Sequence, residues 1–133
     1  MSDDLETRYR AYLDVLNERR LEDLGHYVAD RLTYNDETMT GRDYRDLIAA
    51  DIAAVPDLVY DPHIVVVSGQ DVACRLVFRC APRDTFLGFT PNGEQLRFAE
   101  HVFYRFEDGR ISAVSSLIDR WSIATQLGAR PGP

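Results

Sequence analysis

An amphipathic pattern with helical spacing runs through the first half of the chain. The N-terminal segment places its apolar side chains on one helix face, namely Leu5, Tyr9, Tyr12, Leu13 and Leu16. The pattern continues over residues 21–28, beyond a break at residues 17–20, and predicts a helical N-terminal third. A second amphipathic helix is predicted in GRDYRDLIAADIAAVPD, where Pro56 closes the helix. We interpret the preceding LTYNDETMTG as a short connecting segment.

The second half of the chain changes to the alternation that is typical of β-strands. Four such stretches follow one another, HIVVVSG, DVACRLVFRC, QLRFAEHVFYRF and RISAVSSLID, with SGQD and EDGR as turns and RDTFLGFTPNGE as a longer loop. They predict an antiparallel meander. A short helix is predicted in DRWSIATQLG, with Asp119 as its N-cap and Gly128 as its end. Helices followed by a curved sheet indicate an α+β fold, and we expect residues 1–133 to form one domain.

One carboxylate interrupts the apolar face of the third predicted strand. Reading every second position gives Phe98, Glu100, Val102, Tyr104 and Phe106, so parity places Glu100 on the core face. A carboxylate buried without partners costs several kcal/mol, so it pairs, protonates or faces a solvated cavity. A raised pKa would suit a general acid or base near neutral pH. The alternative is a structural Glu that pairs with Arg75 or caps a backbone group.

Charge and composition narrow the classes of partner. The formal net charge of −7 and the pI near 4.8 argue against nucleic acid and anionic membranes as partners. No apolar run approaches the ~20 residues of a membrane span, and MSDDLETRYR does not resemble a signal peptide, so we expect a cytoplasmic protein.

Cys74 and Cys80 lie roughly 20 Å apart along one predicted strand and are interpreted as core residues. No His or Cys spacing predicts a metal site.

Several segments together resemble a known family. They are LTYND before GRDYR, the phrase TFLGFTPNGEQLRFAEHVFYRFEDGRI, and a last strand ending in SLID before a helix. This combination resembles the SnoaL-like branch of the NTF2-like superfamily, which includes polyketide cyclases and predicted ester cyclases. The resemblance implies a cone-shaped α+β barrel that is homodimeric through the outer face of its sheet, with no metal or organic cofactor. It also implies acids and bases inside the cone, where a small hydrophobic substrate binds.

The resemblance extends more distantly to limonene-type epoxide hydrolases, but their acids are missing here. Arg75 matches the arginine of their Arg-x-Asp pair, whereas Val77 and Ser116 stand where the two aspartates would be. The last-strand acid of many polyketide cyclases is also replaced, since this stretch reads Val114-Ser115-Ser116. A water-activating epoxide hydrolase is therefore less favoured than a cyclase or an isomerase.

Four residues are the catalytic candidates: Glu100, Arg75, Tyr34 and Asp119. Glu100 would move the proton, and Tyr34 would donate a hydrogen bond to a developing oxyanion, unless it is a core tyrosine. The resemblance turns Arg75 toward the cavity, whereas parity in DVACRLVFRC places it on the outer face, so both orientations stay open. Asp119 is either a second acid or the N-cap of the last helix.

The cavity wall is expected to consist of Phe98, Val102, Ser116, Ile118 and Trp121. Asn35 is a further candidate for substrate binding, although Asn before Asp-Glu is also ordinary turn chemistry. His101 alternates to the outer face of the sheet and is not expected to act as a base.

The sequence thus predicts a cofactor-independent cyclase or isomerase. Its substrate would be a hydrophobic, oxygenated small molecule such as a polyketide or a terpenoid. The alternative is a non-catalytic domain of the same fold that binds a small molecule or serves as a dimerisation module.

Overall fold

The computed structural model describes residues 2–128, which form three α-helices, one 3₁₀ helix and six strands. The helices are α1 (Ser2–Asn17), the 3₁₀ helix (Leu21–His26), α2 (Gly41–Ala54) and α3 (Arg120–Gln126). The strands are β1 (Val28–Tyr34), β2 (Glu37–Thr40), β3 (Asp61–Ser68), β4 (Asp71–Cys80), β5 (Leu96–Glu107) and β6 (Arg110–Ile118). The predicted α+β class is confirmed.

All six strands belong to one mixed sheet with the order β2-β1-β6-β5-β4-β3. Strands β3 to β6 form the antiparallel meander that the alternation predicts. Strand β1 joins the other edge of this meander by pairing in parallel with β6. The edge strands β2 and β3 do not pair with each other, so the sheet stays open and is not a closed barrel.

The hairpin of β1 and β2 corrects the prediction of helix and loop over residues 27–40. Asn35 and Asp36 both have positive φ, at 48° and 71°, which makes a tight two-residue turn between the strands. Only Val28 and Leu32 are buried in β1, so the period-two pattern is too weak to reveal the strand. The helical prediction is wrong beyond His26, where the 3₁₀ helix ends.

Helix α2 begins at a well-defined point against β1. Thr40 and Asp43 form a capping box, with the Asp43 N–H donating to Thr40 Oγ1 at 3.1 Å and the Thr40 N–H donating to Asp43 Oδ2 at 3.2 Å. A Cβ at Gly41 would lie 2.8 Å from the carbonyl oxygen of Ala29, so glycine permits this close approach. The cap and the glycine fix α2 beside the sheet.

The core lies between the helices and the inner face of the sheet. Tyr9 and Tyr12 of α1 are almost fully buried against Tyr104 of β5, with ring centroids 4.9 and 5.9 Å from that ring. Cys74 and Cys80 are free thiols buried on the inner face, as predicted. The helices therefore enclose the inner face of the sheet, where the predicted proton-transfer residue must be sought.

Candidate functional site

A small cavity lies between α1, α2 and the inner face of the sheet. We call it the tyrosine cavity; its volume is about 60 Å³ and its walls are Tyr12, Leu16, Tyr34, Tyr44, Leu47, Ile48, Asp51, Tyr60, Leu76, Glu100, Tyr104 and Val114. Leu47 is 47% exposed, so the cavity reaches the surface beside α2. Typical ligand pockets occupy roughly 300–1,000 Å³. A substrate with a ring therefore requires the surrounding side chains to move apart.

Glu100 faces the tyrosine cavity from β5, which confirms its predicted inward orientation. Its cross-strand neighbours are Leu76 and Ile118, so two aliphatic side chains flank the carboxyl group. Ser116 Oγ donates a hydrogen bond to Glu100 Oε2. Burial raises the pKa of Glu100 above its ordinary value, the negative charge of Asp51 raises it further, and the Ser116 hydrogen bond opposes the rise.

Asp51 is a second carboxyl group on the cavity wall, and it is missing from the candidates that the sequence suggested. It lies on α2, three residues after buried Ile48 and seven after buried Tyr44, so it belongs to the inward stripe of that helix. Burial raises the pKa of Asp51 from 3.8 to about 6. The signal was present in the sequence, because a carboxylate on an apolar helical stripe is as unusual as one on an apolar strand face.

Tyrosine hydroxyls supply hydrogen-bond donors around the two carboxyls. The hydroxyls of Tyr12 and Tyr44 lie 2.6 Å apart, and the ring of Tyr34 is 6.0 Å from that of Tyr44. Burial raises the pKa of all three phenols, and for Tyr34 the Glu100 carboxylate adds to the rise. They therefore stay protonated at neutral pH. Tyr34 lines the cavity as the sequence suggested, beside two tyrosines that were not singled out.

Arg75 lies on the outer face of the sheet, and this corrects the orientation that the resemblance implied. Its Nη1 donates to His101 Nε2 at 2.6 Å, and cross-strand pairing aligns Ile64, Arg75, His101 and Leu117 in one outer row. Strand alternation therefore predicts the position of Arg75 correctly, because its neighbour Leu76 occupies the inner face. The guanidinium of Arg75 contacts His101 on the outer face, so the alternative in which Glu100 pairs with Arg75 is wrong.

Asp119 is the N-cap of α3, with its Oδ1 accepting from the Ser122 N–H at 3.0 Å. It lines an outer groove of about 470 Å³ together with Arg75, Ile118 and Trp121. Trp121 is 66% exposed in this groove. Asp119 and Trp121 therefore lie outside the tyrosine cavity, contrary to the expectation that they would act in it or form its wall. Ile118 flanks Glu100 from β6 and packs against the core, but it is not one of the wall residues either.

Phe98 and Val102 point inward as predicted, yet they fill the core instead of lining the cavity. Phe98 packs against Phe78 and Phe86 with ring centroids at 5.2 and 5.9 Å. Val102 is 1% exposed and belongs to the hydrophobic core. In this conformation the interior beside Glu100 is occupied by packed side chains, which explains the small cavity volume.

Asn35 supports the site from the hairpin turn. Its Oδ1 accepts from the Ser116 N–H at 2.8 Å, and its own N–H donates to the Val114 carbonyl at 2.9 Å. The turn therefore holds the backbone of the residue whose hydroxyl group contacts Glu100. Asn35 is exposed and positions Ser116, whereas the sequence suggested direct contact with substrate.

The chemistry of the cavity wall is that of carboxyl and phenol groups. Carboxyls near their pKa transfer protons, and phenols donate hydrogen bonds to developing oxyanions. Within residues 2–128, no three His, Cys, Asp or Glu side chains are arranged to hold a metal ion. No helix in this part of the chain is long and apolar enough to cross a membrane.

A helical layer over an open mixed sheet, with carboxyls and phenols enclosed between them, defines an NTF2-like α+β protein with an interior site. A family model described as SnoaL-like polyketide cyclase matches residues 6–127. The chain belongs to the SnoaL-like polyketide cyclase family, as its sequence motifs suggested.

Solved structures agree with this assignment. A SnoaL-like polyketide cyclase from Agrobacterium tumefaciens strain C58 is 39% identical, with a TM-score of 0.90 over 93% of this chain and 98% of that one. TsrD from Streptomyces laurentii is 20% identical, with a TM-score of 0.86 over 97% and 98% of the two chains. AclR from Streptomyces galilaeus is also 20% identical, with a TM-score of 0.81 over 98% and 100%. The latter two show the shared fold. No curated protein matches the chain.

Proposed function

We propose that this protein is a cofactor-independent cyclase or isomerase that acts on a hydrophobic, oxygenated small molecule such as a polyketide- or terpenoid-like intermediate. The observation that carries the proposal is Glu100, a carboxyl with a raised pKa that faces an enclosed cavity lined by tyrosines. Membership of the SnoaL-like family supports the class of reaction. The relative from A. tumefaciens bears the name of a polyketide cyclase, which also supports it.

The proposed reaction begins with proton transfer from carbon. The ionised carboxyl of Glu100 would take a proton next to a substrate carbonyl group, and the C–H electron pair would move into an enolate. The Tyr34 hydroxyl would donate a hydrogen bond to the enolate oxygen. Return of the proton to another carbon completes an isomerisation. Alternatively, the enolate carbon attacks a second carbonyl, whose C–O π bond breaks, and Glu100 returns its proton to the resulting alkoxide to complete a ring closure. These 133 residues contain no lysine, so a lysine Schiff base is not available among them.

Access to Glu100 would be from the side of α2. Leu47 is the exposed member of the cavity wall, so substrate would enter beside it and displace the packed aromatic rings further inside. Filling the cavity with substrate would also remove the remaining water from the carboxyls. This desolvation strengthens every electrostatic contact in the site.

Glu100→Gln tests the proposal, because it removes the proton-transfer group and keeps the size of the side chain. Small molecules released from the denatured protein and a panel of enolisable polyketide analogues supply the ligands. We expect turnover to fall by about 10²–10⁴-fold while the Kd stays within a few-fold of wild type. Glu107→Gln is the matched control, since Glu107 is exposed on the same strand. Full turnover by Glu100→Gln would refute the assignment.

The second candidate is a domain of the same fold that binds a small molecule without altering it. One observation favours this role: Arg75 and Asp119, two of the four catalytic candidates, stand outside the tyrosine cavity. A ligand that co-purifies with the wild-type protein and is recovered unchanged after long incubation would support binding over catalysis.

We also propose that the protein is a homodimer through the outer face of its sheet. Ile64, Val66, Phe103 and Leu117 are each more than half exposed on neighbouring strands of that face. Light scattering after size-exclusion chromatography tests this proposal. We expect wild type to elute as a dimer and Phe103→Glu as a monomer, with Arg42→Glu on the helical side as the control. A monomeric wild type would refute it.

A further inference from the structure

Asp51 is the remaining carboxyl on the wall of the tyrosine cavity, and the proposed function assigns it no role. It enters the cavity from α2, whereas Glu100 enters from β5. These two are the charged side chains on the wall, within the part of the chain that the structure describes. Two carboxyls from different elements therefore line the same cavity.

Among the described residues, the Asp51 carboxyl makes no polar contact that would stabilise the folded protein. Within residues 2–128, its carboxyl group has no hydrogen bond or ion pair with another side chain, and burial alone shifts its pKa. The neighbouring Asp46 is 65% exposed on the same helix, so α2 has a solvated face that accepts carboxylates. A carboxylate on the inward stripe loses hydration without gaining a partner in return. Such a residue is a candidate for function.

We propose that Asp51 and Glu100 form a catalytic carboxyl pair that carries one proton in total, one group acting as general base and the other as general acid in the same turnover. This inference rests on the proposed function and names its substrate class: an enolisable carbonyl compound that loses a proton at one carbon and gains it at another. The ionised carboxyl takes the first proton, and the C–H electron pair moves into an enolate. The protonated carboxyl then supplies a proton to the second carbon. Charge and protons balance, and the pair ends with its roles exchanged.

Electrostatics favours the singly protonated pair. Burial raises the pKa of both carboxyls, and the charge on Asp51 further raises that of Glu100. Once one is ionised, the second deprotonation places two like charges in the same small cavity. The other titratable groups that line the tyrosine cavity are phenols. Burial raises the pKa of each of them, namely Tyr12, Tyr34, Tyr44, Tyr60 and Tyr104. The two carboxyls are therefore the wall groups that ionise before the phenols as the pH rises.

The first experiment needs no substrate. Carboxyl carbon NMR follows the titration of both side chains in the full chain, in wild type, Asp51→Asn and Glu100→Gln. We expect each substitution to lower the titration midpoint of the remaining carboxyl, because it removes a like charge. Asp46→Asn serves as the control and should move neither midpoint. The proposed pair would be overturned if the titration midpoint of Glu100 is the same in Asp51→Asn as in wild type and that of Asp51 is the same in Glu100→Gln as in wild type.

The second experiment measures turnover with cyclohex-3-en-1-one as the probe, whose isomerisation to the conjugated enone needs one proton removed and one returned. We expect Asp51→Asn and Glu100→Gln each to lower kcat by about 10²–10⁴-fold and to remove one limb of the pH–rate profile, with partial rescue by Asp51→Glu. Full activity of Asp51→Asn beside an inactive Glu100→Gln would overturn the role of Asp51 and keep the proposed function. A wild type that leaves the probe unchanged would count against the isomerase chemistry, while the NMR titration would still decide the pair.

Discussion

Replacing Asp51 by Asn should stabilise the protein, and the gain should depend on pH. The ordinary pKa of the side chain is 3.8, and burial raises it to about 6. A carboxyl whose pKa is higher in the folded state than in the unfolded state lowers the free energy of unfolding only when it is ionised. Stability is therefore highest at low pH and falls as the pH rises from the unfolded-state pKa to the folded-state pKa. Asparagine has nearly the same shape and never ionises, so the variant avoids this loss.

The magnitude follows from the difference between the two pKa values. A pKa difference of one pH unit corresponds to ~1.4 kcal/mol, so ionisation of Asp51 costs the folded state at most about 3 kcal/mol. The side chain is only partly buried, so solvent screening reduces this to about 1–2 kcal/mol. The gain of Asp51→Asn should be near zero at about pH 3.5, grow between about pH 4 and pH 6, and be complete above about pH 7.

Urea unfolding followed by far-UV circular dichroism measures this gain at a fixed protein concentration. At a typical m-value of about 1–3 kcal/mol/M, the midpoint of Asp51→Asn should exceed that of wild type by roughly 0.3–2 M at about pH 7.5. Asp46→Asn removes an exposed carboxylate from the same helix and should show no such growth with pH. An Asp51→Asn variant that is destabilised by the same amount at every pH would refute the reasoning, because it would reveal a structural hydrogen bond.

Three further predictions concern the groups around the site. Ser116→Ala should raise the pKa of Glu100 further, since it removes the hydrogen bond that favours the ionised form; an unchanged or lower NMR midpoint would contradict this. Tyr12→Phe should cost about 1–3 kcal/mol in urea unfolding, because the buried Tyr44 hydroxyl loses its partner at 2.6 Å, and a neutral result would show that the pair contributes nothing. Thr40→Ala should cost about 1 kcal/mol by breaking the capping box of α2, and equal urea midpoints would contradict it.

Local periodicity was enough to predict much of the molecule. The alternation of β5 places Glu100 on the inner face, and that of β4 places Arg75 on the outer face, in both cases because successive side chains point to opposite sides of a strand. The pattern also predicts that Asp119 caps α3. For Arg75, this simple alternation proved a better guide to orientation than the family resemblance.

The hairpin of β1 and β2 and its place in the sheet could not be predicted in this way. Both strands are short and mostly exposed, so their hydrophobic pattern is weak. The parallel pairing of Tyr34 with Val114 joins segments about eighty residues apart, and no local pattern encodes that contact. The order of the strands in the sheet is likewise decided by long-range packing.

The sequence by itself determined which face of each element carries a carboxylate. Glu100 interrupts an apolar strand face, and Asp51 interrupts an apolar helix stripe, so both positions follow from the repeat of a single element. Only the tertiary structure decided that these two faces meet in one enclosure among tyrosines. The reason is physical: the period of a strand or a helix fixes the direction of a side chain, whereas the packing of α2 against the sheet fixes which directions converge.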